Sequence, residues 1–134
     1  MAQYRIGEAA RLLGVSDDTV RRWVSSGALA VVKDQTGHQA IEGGELAARA
    51  QQIAVLPEDP SGIGSSARNR FVGLVTQVVS DTVMSQVELQ CGPYRVVSLM
   101  STEAVRDLGL VPGSLAVAVV KSTMVIVETP GAGG

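Results

Sequence analysis

The chain has 134 residues, 46% of them hydrophobic but only 3% aromatic. Its core must therefore be filled by Val, Leu, Ala and Ile, a mixture that favours strands over much of the chain. The net charge of -2 excludes nucleic-acid binding by bulk charge and confines any such contact to a local cluster. Cys91 is the single cysteine and His38 the single histidine, so an internal disulfide, a thiolate metal cluster and a histidine-built cation site are all excluded. No apolar run reaches the length of a membrane span, and Met1-Ala2-Gln3-Tyr4-Arg5 does not read as an export signal. A cytoplasmic protein with no membrane partner is the expectation.

In chain order, apolar residues recur at helical spacing from Ile6 to about Ile53. A first helix is predicted from Gly7 to Leu13, with Gly14 ending it in a left-handed turn. Ser16 reads as the N-cap of a second helix, with Asp17 and Asp18 in its first turn and Val15 and Val20 spaced as a hydrophobic staple. That helix buries Val20, Trp23 and Val24 and closes at Gly27. Two short helices joined by a tight turn make a helix-turn-helix, which presents the second helix to the DNA major groove. Residues 29–32 and 39–41 are expected as a small two-stranded wing around a turn at 34–37, followed by a third helix over 42–53.

These residues carry a resemblance. Tyr4-Arg5-Ile6-Gly7-Glu8-Ala9-Ala10, Leu13-Gly14-Val15-Ser16 and Thr19-Val20-Arg21-Arg22-Trp23 resemble the winged helix-turn-helix of MerR-type regulators and excisionases over residues 3 to 52. The resemblance implies contact with double-stranded DNA through Ser16, Thr19, Arg21 and Arg22, and through Lys33 and His38 of the wing. Where that family commonly reads Gly-His-Arg-Arg, this chain has Gly37-His38-Gln39-Ala40. Two phosphate-binding cations are missing, which predicts weaker binding, or binding rescued by oligomerisation.

Leu56-Pro57-Glu58-Asp59-Pro60-Ser61-Gly62-Ile63-Gly64-Ser65-Ser66 is dense in Pro, Gly and Ser and reads as a linker. The boundaries expected are 1–54 for the DNA-binding domain, 55–65 for the linker and 66–130 for a second domain. In that second domain, strands are predicted at 69–79, 83–90 and 94–99, with Val83, Val87 and Leu89 inward and Cys91-Gly92-Pro93 turning the chain. A helix follows over 101–108, capped by Ser101 and ended by Gly109. Pro112-Gly113 suits a type II turn before two last strands, 115–121 and 124–128. The whole is predicted to be an α+β protein: a mostly α winged helix-turn-helix, then a five-stranded OB-like β-barrel with one short helix.

Ser66-Ala67-Arg68-Asn69-Arg70-Phe71-Val72-Gly73, Met100-Ser101-Thr102-Glu103, Leu108-Gly109-Leu110, Pro112-Gly113 and Val120-Lys121-Ser122-Thr123 are similar in order and spacing to the Mop or TOBE domain of molbindins. This similarity implies molybdate or tungstate bound between subunits, in homo-oligomers that are dimers or assemble further into hexamers. The residues it points to are Ser66, Ala67, Arg68, Ser101, Val120 and Lys121. Their chemistry suits the ligand. Molybdate is a tetrahedral dianion with acceptors only, so its site needs hydroxyls, backbone N–H groups and cations. Where the family often has a second hydroxyl three residues after Ser101, this chain has Ala104.

Catalysis is not expected: the second half has no histidine, paired carboxylates, phosphate loop or nucleophile triad. Joining the halves gives an oxyanion-responsive, DNA-binding transcriptional regulator. The alternative is a molybdate storage protein with a vestigial DNA module.

Overall fold

The computed structural model describes residues 2–130 and divides between Leu56 and Pro57 into two compact units. The fold mixes helix and sheet, with a three-stranded sheet in the first unit and a four-stranded sheet in the second.

The first unit opens with β1 (Gln3–Arg5), a strand too short to show any period in the sequence. Helix α1 (Ile6–Leu13) follows, and Gly14 closes it at φ +68°. Helix α2 (Asp17–Ser25) starts at Ser16, whose hydroxyl accepts the Thr19 N–H at 3.1 Å. It ends on Ser26 as C-cap, with Gly27 just beyond at φ +83°. The hairpin β2 (Val32–Lys33) and β3 (Gln39–Glu42) comes next, then α3 (Gly43–Ile53).

Strand β3 lies in the middle, paired with β1 on one side and β2 on the other. The expected first wing strand at 29–32 is thereby displaced to Val32–Lys33, because Leu29 turns inward. Its N–H bonds the Trp23 carbonyl and its side chain is buried. The core is Ala9, Ala10, Val20, Leu29, Ile41 and Leu46, ringed by half-buried Ile6, Val15, Trp23 and Val24. Trp23 is core-facing, as its spacing predicts, and the Arg49 guanidinium of α3 lies 4.4 Å from its ring centroid.

In the second unit β4 (Asn69–Ser80), β5 (Met84–Cys91) and β6 (Tyr94–Ser101) form a meander. Helix α4 (Thr102–Leu108) and β7 (Leu115–Val120) complete it. The sheet order β6-β5-β4-β7 is antiparallel throughout. β4 is long enough to serve two neighbours: Asn69–Leu74 pairs with β7 and Leu74–Ser80 with β5. Between these partners the register slips by one residue at Thr76, a bulge that bends the strand and turns the sheet. Val75, Val87, Leu89, Cys91 and Val105 form the core inside that curve.

Helix α4 is fastened to the β4–β5 turn by a chain of hydroxyls that the sequence did not announce. Ser80 and Ser85 are 2.6 Å apart, Ser85 and Thr102 2.8 Å, and the Thr102 hydroxyl donates to the Asp81 carbonyl at 2.9 Å. Ser85 and Thr102 are both buried, so this chain satisfies their polar atoms.

Three expectations for this unit are corrected. Val83 is exposed rather than inward, because the Asp81 carboxylate captures the N–H groups of Val83 and Met84 and holds residue 83 in the turn. Cys91 is a buried strand residue, not part of the turn, and burial pushes its thiol pKa up. The fifth strand over 124–128 is absent. After Val120 a single 3-10 turn spans Ser122–Met124, and Val125, Ile126 and Val127 follow it exposed and outside any strand. A strand needs a ladder partner, and this chain offers none there. The expected five-stranded barrel is therefore a four-stranded curved sheet with two free edges, β6 and β7.

Gly73 sits where β4 crosses the end of β5. A Cβ added there would press on the Gln90 carbonyl oxygen and lie 2.6 Å from the Cys91 Sγ. Backbone cannot yield there without breaking the ladder. Gly73→Ala is expected to destabilise the second unit by about 1–3 kcal/mol, the usual range for overpacking, read as a lower midpoint in chemical denaturation. Gly44→Ala, in open space on α3, serves as the neutral control.

Candidate functional site

The β4–β7 ladder ends on the pair Asn69↔Val120, locked by the Asn69 amide donating to the Val120 carbonyl at 3.1 Å. Immediately beyond that last pair stand Arg68 on one strand and Lys121 on the other, both exposed. Among the described residues neither cation is engaged in an ion pair. Antiparallel register is what sets these two cations side by side, although they are far apart in sequence.

Ser66 is exposed one residue before buried Ala67. The Ala67 N–H, expected as an anion donor, is already bonded to the Ser65 hydroxyl at 3.1 Å. The Val120 carbonyl is occupied by Asn69, which leaves the strand end rigid.

Ser101 lies elsewhere. It pairs with Met84 at the far end of the sheet, near where β4 finishes. Its hydroxyl accepts the Ala104 N–H at 3.1 Å as the N-cap of α4, and the hydroxyl proton stays available to a ligand. From Asn69 to Ser80 the strand path is roughly 35 Å at about 3.3 Å per residue. Arg68 and Lys121 thus stand by the first residue of β4 and Ser101 near its last. Register sets Arg68 and Lys121 at the same strand end, Ser66 lies two residues before Arg68, and Ser101 pairs near the other end of the sheet.

A neighbouring tie was missed by sequence reading. Arg70 donates through Nε to Asp59 at 2.9 Å and through Nη2 to the Ser61 hydroxyl at 2.8 Å. The expected linker is thus anchored to β4 in its middle, and Asp59-x-Ser61 was legible only as turn-forming composition. The Arg70 guanidinium, then the Ser61 N–H and hydroxyl, hold the Asp59 carboxyl down at about 2.

The open edge of the sheet bounds a second feature. Between β6 and β7 lies an apolar cavity of about 690 Å³ lined by Val96, Met100, Leu110, Ala116 and Ala118 among others. It is the inner face of the curved sheet, left uncovered where the two edges fail to meet.

In the first unit the residues expected at DNA fall into two groups. Ser16, Thr19 and Arg22 form one chain: the two hydroxyls are 2.9 Å apart and Arg22 Nη2 donates to Thr19 at 3.1 Å. Arg21 is exposed and leans on Asp18 at 3.4 Å, a surface pair weak enough to exchange for phosphate. Lys33 and His38 are exposed on the β2–β3 hairpin. Ala40, at a place where the resembled family carries arginine, is buried against the core. Residues 1–56 hold six Lys or Arg and six Asp or Glu, so any attraction for DNA is local to α2 and the hairpin. Among the described residues no three His, Cys, Asp or Glu gather to hold a metal ion, and no helix is long and apolar enough to cross a membrane.

Comparison with known proteins finds a different family in each unit. Residues 65–127 match the TOBE domain model. Molybdenum-pterin-binding protein 3 of Clostridium pasteurianum is 38% identical over 63 residues, which is 46% of this chain and 93% of that protein. Over this segment the chain belongs to the TOBE-domain family. Its TOBE half also resembles the molybdenum transport protein ModE of Herbaspirillum seropedicae, 37% identical over 70 residues, 52% of this chain and 26% of that protein. The chain thus spans about a quarter of that relative's length. A solved molybdate-binding protein from Sporomusa ovata matches at 31% identity with a TM-score of 0.48, covering 50% of this chain and all of that one. Residues 5–38 match the MerR family regulatory protein model, so a MerR-type segment precedes the TOBE domain. The relatives' names denote binding, transport and regulatory proteins, not enzymes.

Asp34 in the β2–β3 hairpin and Asp59 are both lowered to about 2, the first chiefly by the Thr36 hydroxyl and the second chiefly by Arg70. Their folded values lie below the unfolded one. The stability they supply is therefore present above about pH 4 and is lost as pH falls through about 2. Thermal melts are expected to drop across that window. In Asp59→Asn the drop in the second unit becomes shallower, because the group that must protonate is gone.

Proposed function

We propose that the chain is a molybdate- or tungstate-responsive, DNA-binding transcriptional regulator whose oxyanion is held between copies of the TOBE half. The observation that carries this reading is the separation of the candidate donors. Arg68 and Lys121 flank one end of the sheet and Ser101 stands near the other, so one ligand can meet all three only if two chains contribute. Micromolar affinity requires about 8 kcal/mol, and charge-assisted hydrogen bonds supply about 1.5–3 kcal/mol each. Two cations, two hydroxyls and local N–H groups are a sufficient inventory. A donor-only cage also rejects protonated phosphate, whose O–H would meet no acceptor.

The same assembly answers the missing fifth strand. Val125, Ile126 and Val127 are exposed in an unpaired run, and the inner face is open between edges β6 and β7. In our reading, the run of one copy adds to an open edge of the next and closes the OB-like barrel, giving a dimer with two-fold reciprocity. Burying one such side chain contributes about 1.5–3 kcal/mol.

The first unit then acts as a winged helix-turn-helix. α2 enters the major groove with Thr19, Arg21 and Arg22, Ser16 lies at its N-terminus, and the hairpin is the wing, with Lys33 and His38 toward phosphate. Dimerisation through the second unit sets the half-site spacing, and ligand occupancy changes DNA affinity to the extent that it favours one geometry. The storage alternative is favoured by one observation: the charge-balanced first unit lacks the wing cations, with Ala40 buried in the place of one.

Calorimetry with molybdate is expected to show binding that Arg68→Ala and Lys121→Ala each weaken at least tenfold, the worth of one charge-assisted bond. Ile126→Asp is expected to lower the oligomeric state in sedimentation and to abolish molybdate binding with it. Fluorescence anisotropy on DNA from upstream of the protein's own gene separates the readings. Binding that changes with molybdate is the regulator's outcome; absence of binding at low salt, with or without molybdate, leaves storage.

A further inference from the structure

The hairpin between β2 and β3 is held by an unusual number of bonds for so exposed a turn. Asp34 Oδ1 accepts the Thr36 N–H at 2.9 Å, the His38 N–H at 3.0 Å and the Thr36 hydroxyl at 2.7 Å. Arg5, entering from β1, donates Nε to Asp34 Oδ2 at 3.4 Å and Nη2 to Thr36 Oγ1 at 3.2 Å. His38 Nδ1 lies 2.7 Å from the same Thr36 oxygen. Gly37 takes φ +81°, letting the chain return so that the Asp34 N–H meets the His38 carbonyl at 2.9 Å.

Counting protons at Thr36 fixes the histidine. A hydroxyl has one proton to give and two lone pairs to receive with. Arg5 has no acceptor, so it takes one lone pair. Asp34 is ionised and has no proton, so it takes the hydroxyl proton. The remaining contact, from His38 Nδ1, must therefore be a donation, and Nδ1 carries the hydrogen. In the neutral ring Nε2 is then a bare acceptor. DNA phosphate oxygens are acceptors too, so a neutral ring in this tautomer repels rather than binds them. Only the imidazolium, with hydrogen on both nitrogens, presents a donor to phosphate.

We propose that Arg5, Asp34 and Thr36 act as positioning residues that lock His38 in its Nδ1–H form, so that wing contact with a DNA phosphate takes up one proton. The charged groups facing this cluster are Arg5 of β1, Glu8 of α1 and Asp34 of the hairpin. Glu8 is held by the Arg5 N–H at 3.3 Å. In place of two permanently charged arginines, the wing carries one conditional charge. DNA affinity then tracks pH as well as ligand. This inference rests on the DNA-binding reading above, and its tests separate the two.

The first test needs no DNA. As the single histidine, His38 gives one long-range 15N–1H ring pattern in the full chain. At about pH 8 it is expected to show Nδ1 protonated and Nε2 bare; an Nε2–H tautomer overturns the proposal. Thr36→Val is expected to release the lock toward Nε2–H, and Thr36→Ser to restore Nδ1–H.

The second test titrates the full chain on a labelled duplex from upstream of its own gene across about pH 6 to 8. Affinity is expected to fall with rising pH, approaching tenfold per unit at the upper end, as the competent fraction shrinks. His38→Gln, with a neutral amide donor, is expected to bind without that slope, and Thr36→Val to show a shallower one. Affinity independent of pH overturns proton uptake while leaving DNA binding intact. No binding at about pH 6 and low salt, beside a correct tautomer in the first test, overturns the DNA-binding reading, and the wing contact falls with it.

Discussion

The antiparallel ladder between β4 and β7 is the contact on which the second unit depends. It joins the first strand of the sheet to the last, runs from Leu74↔Leu115 to Asn69↔Val120, and ends with a side-chain bond onto the Val120 carbonyl. Because β4 also pairs with β5 beyond its bulge, one strand carries both halves of the sheet and forces its curvature. With that curvature go an open, concave apolar face, two cations at one strand end and a capped helix near the other. The ladder also leaves β6 and β7 as open edges. A curved sheet whose inner face is uncovered and whose tail is apolar and unpaired is what the proposed assembly would complete.

That incompleteness gives the oxyanion reading its physical content. Donors for a dianion lie at two ends of one sheet, and a second copy is what can bring an Arg68–Lys121 pair to a Ser101. Ligand binding and self-association are then coupled by geometry. In the first unit the groups proposed to face DNA are few and mutually engaged: Ser16 with Thr19, Thr19 with Arg22, Arg21 with Asp18. An interface so economical in charge depends on being presented in pairs at fixed spacing.

Local signals were the readable part of the sequence. Ser16 and Ser101 as caps, Gly14 and Gly109 as left-handed stops and Gly113 at φ +93° in its turn all stand where their chemistry predicts. Helical periodicity found α1, α2 and α3 to within a residue or two, and alternation found β4 to β7. What escaped were features set by distant partners. β1 is three residues with no pattern of its own and exists because β3 offers it an edge. Val83 is held outward because Asp81 captures its turn, and Cys91 is drawn into β5 by its pairing with Tyr94. The run 124–128 has the composition of a strand but no ladder within its own chain. The Asp59–Arg70 tie and the Ser80–Ser85–Thr102 chain join polar residues that, singly, look like ordinary surface. The candidate site residues come from the molbindin resemblance, while the opposition of Arg68 to Lys121 and the position of Ser101 at the other end of the sheet are matters of register.

The claim that the oxyanion is shared between copies is tested most directly by anomalous scattering from crystals of the full chain grown with tungstate. The account predicts a tungsten peak bounded by Arg68 and Lys121 of one copy and by Ser101 of another. A tungsten enclosed by residues of a single copy, or one remote from all three side chains, would contradict it.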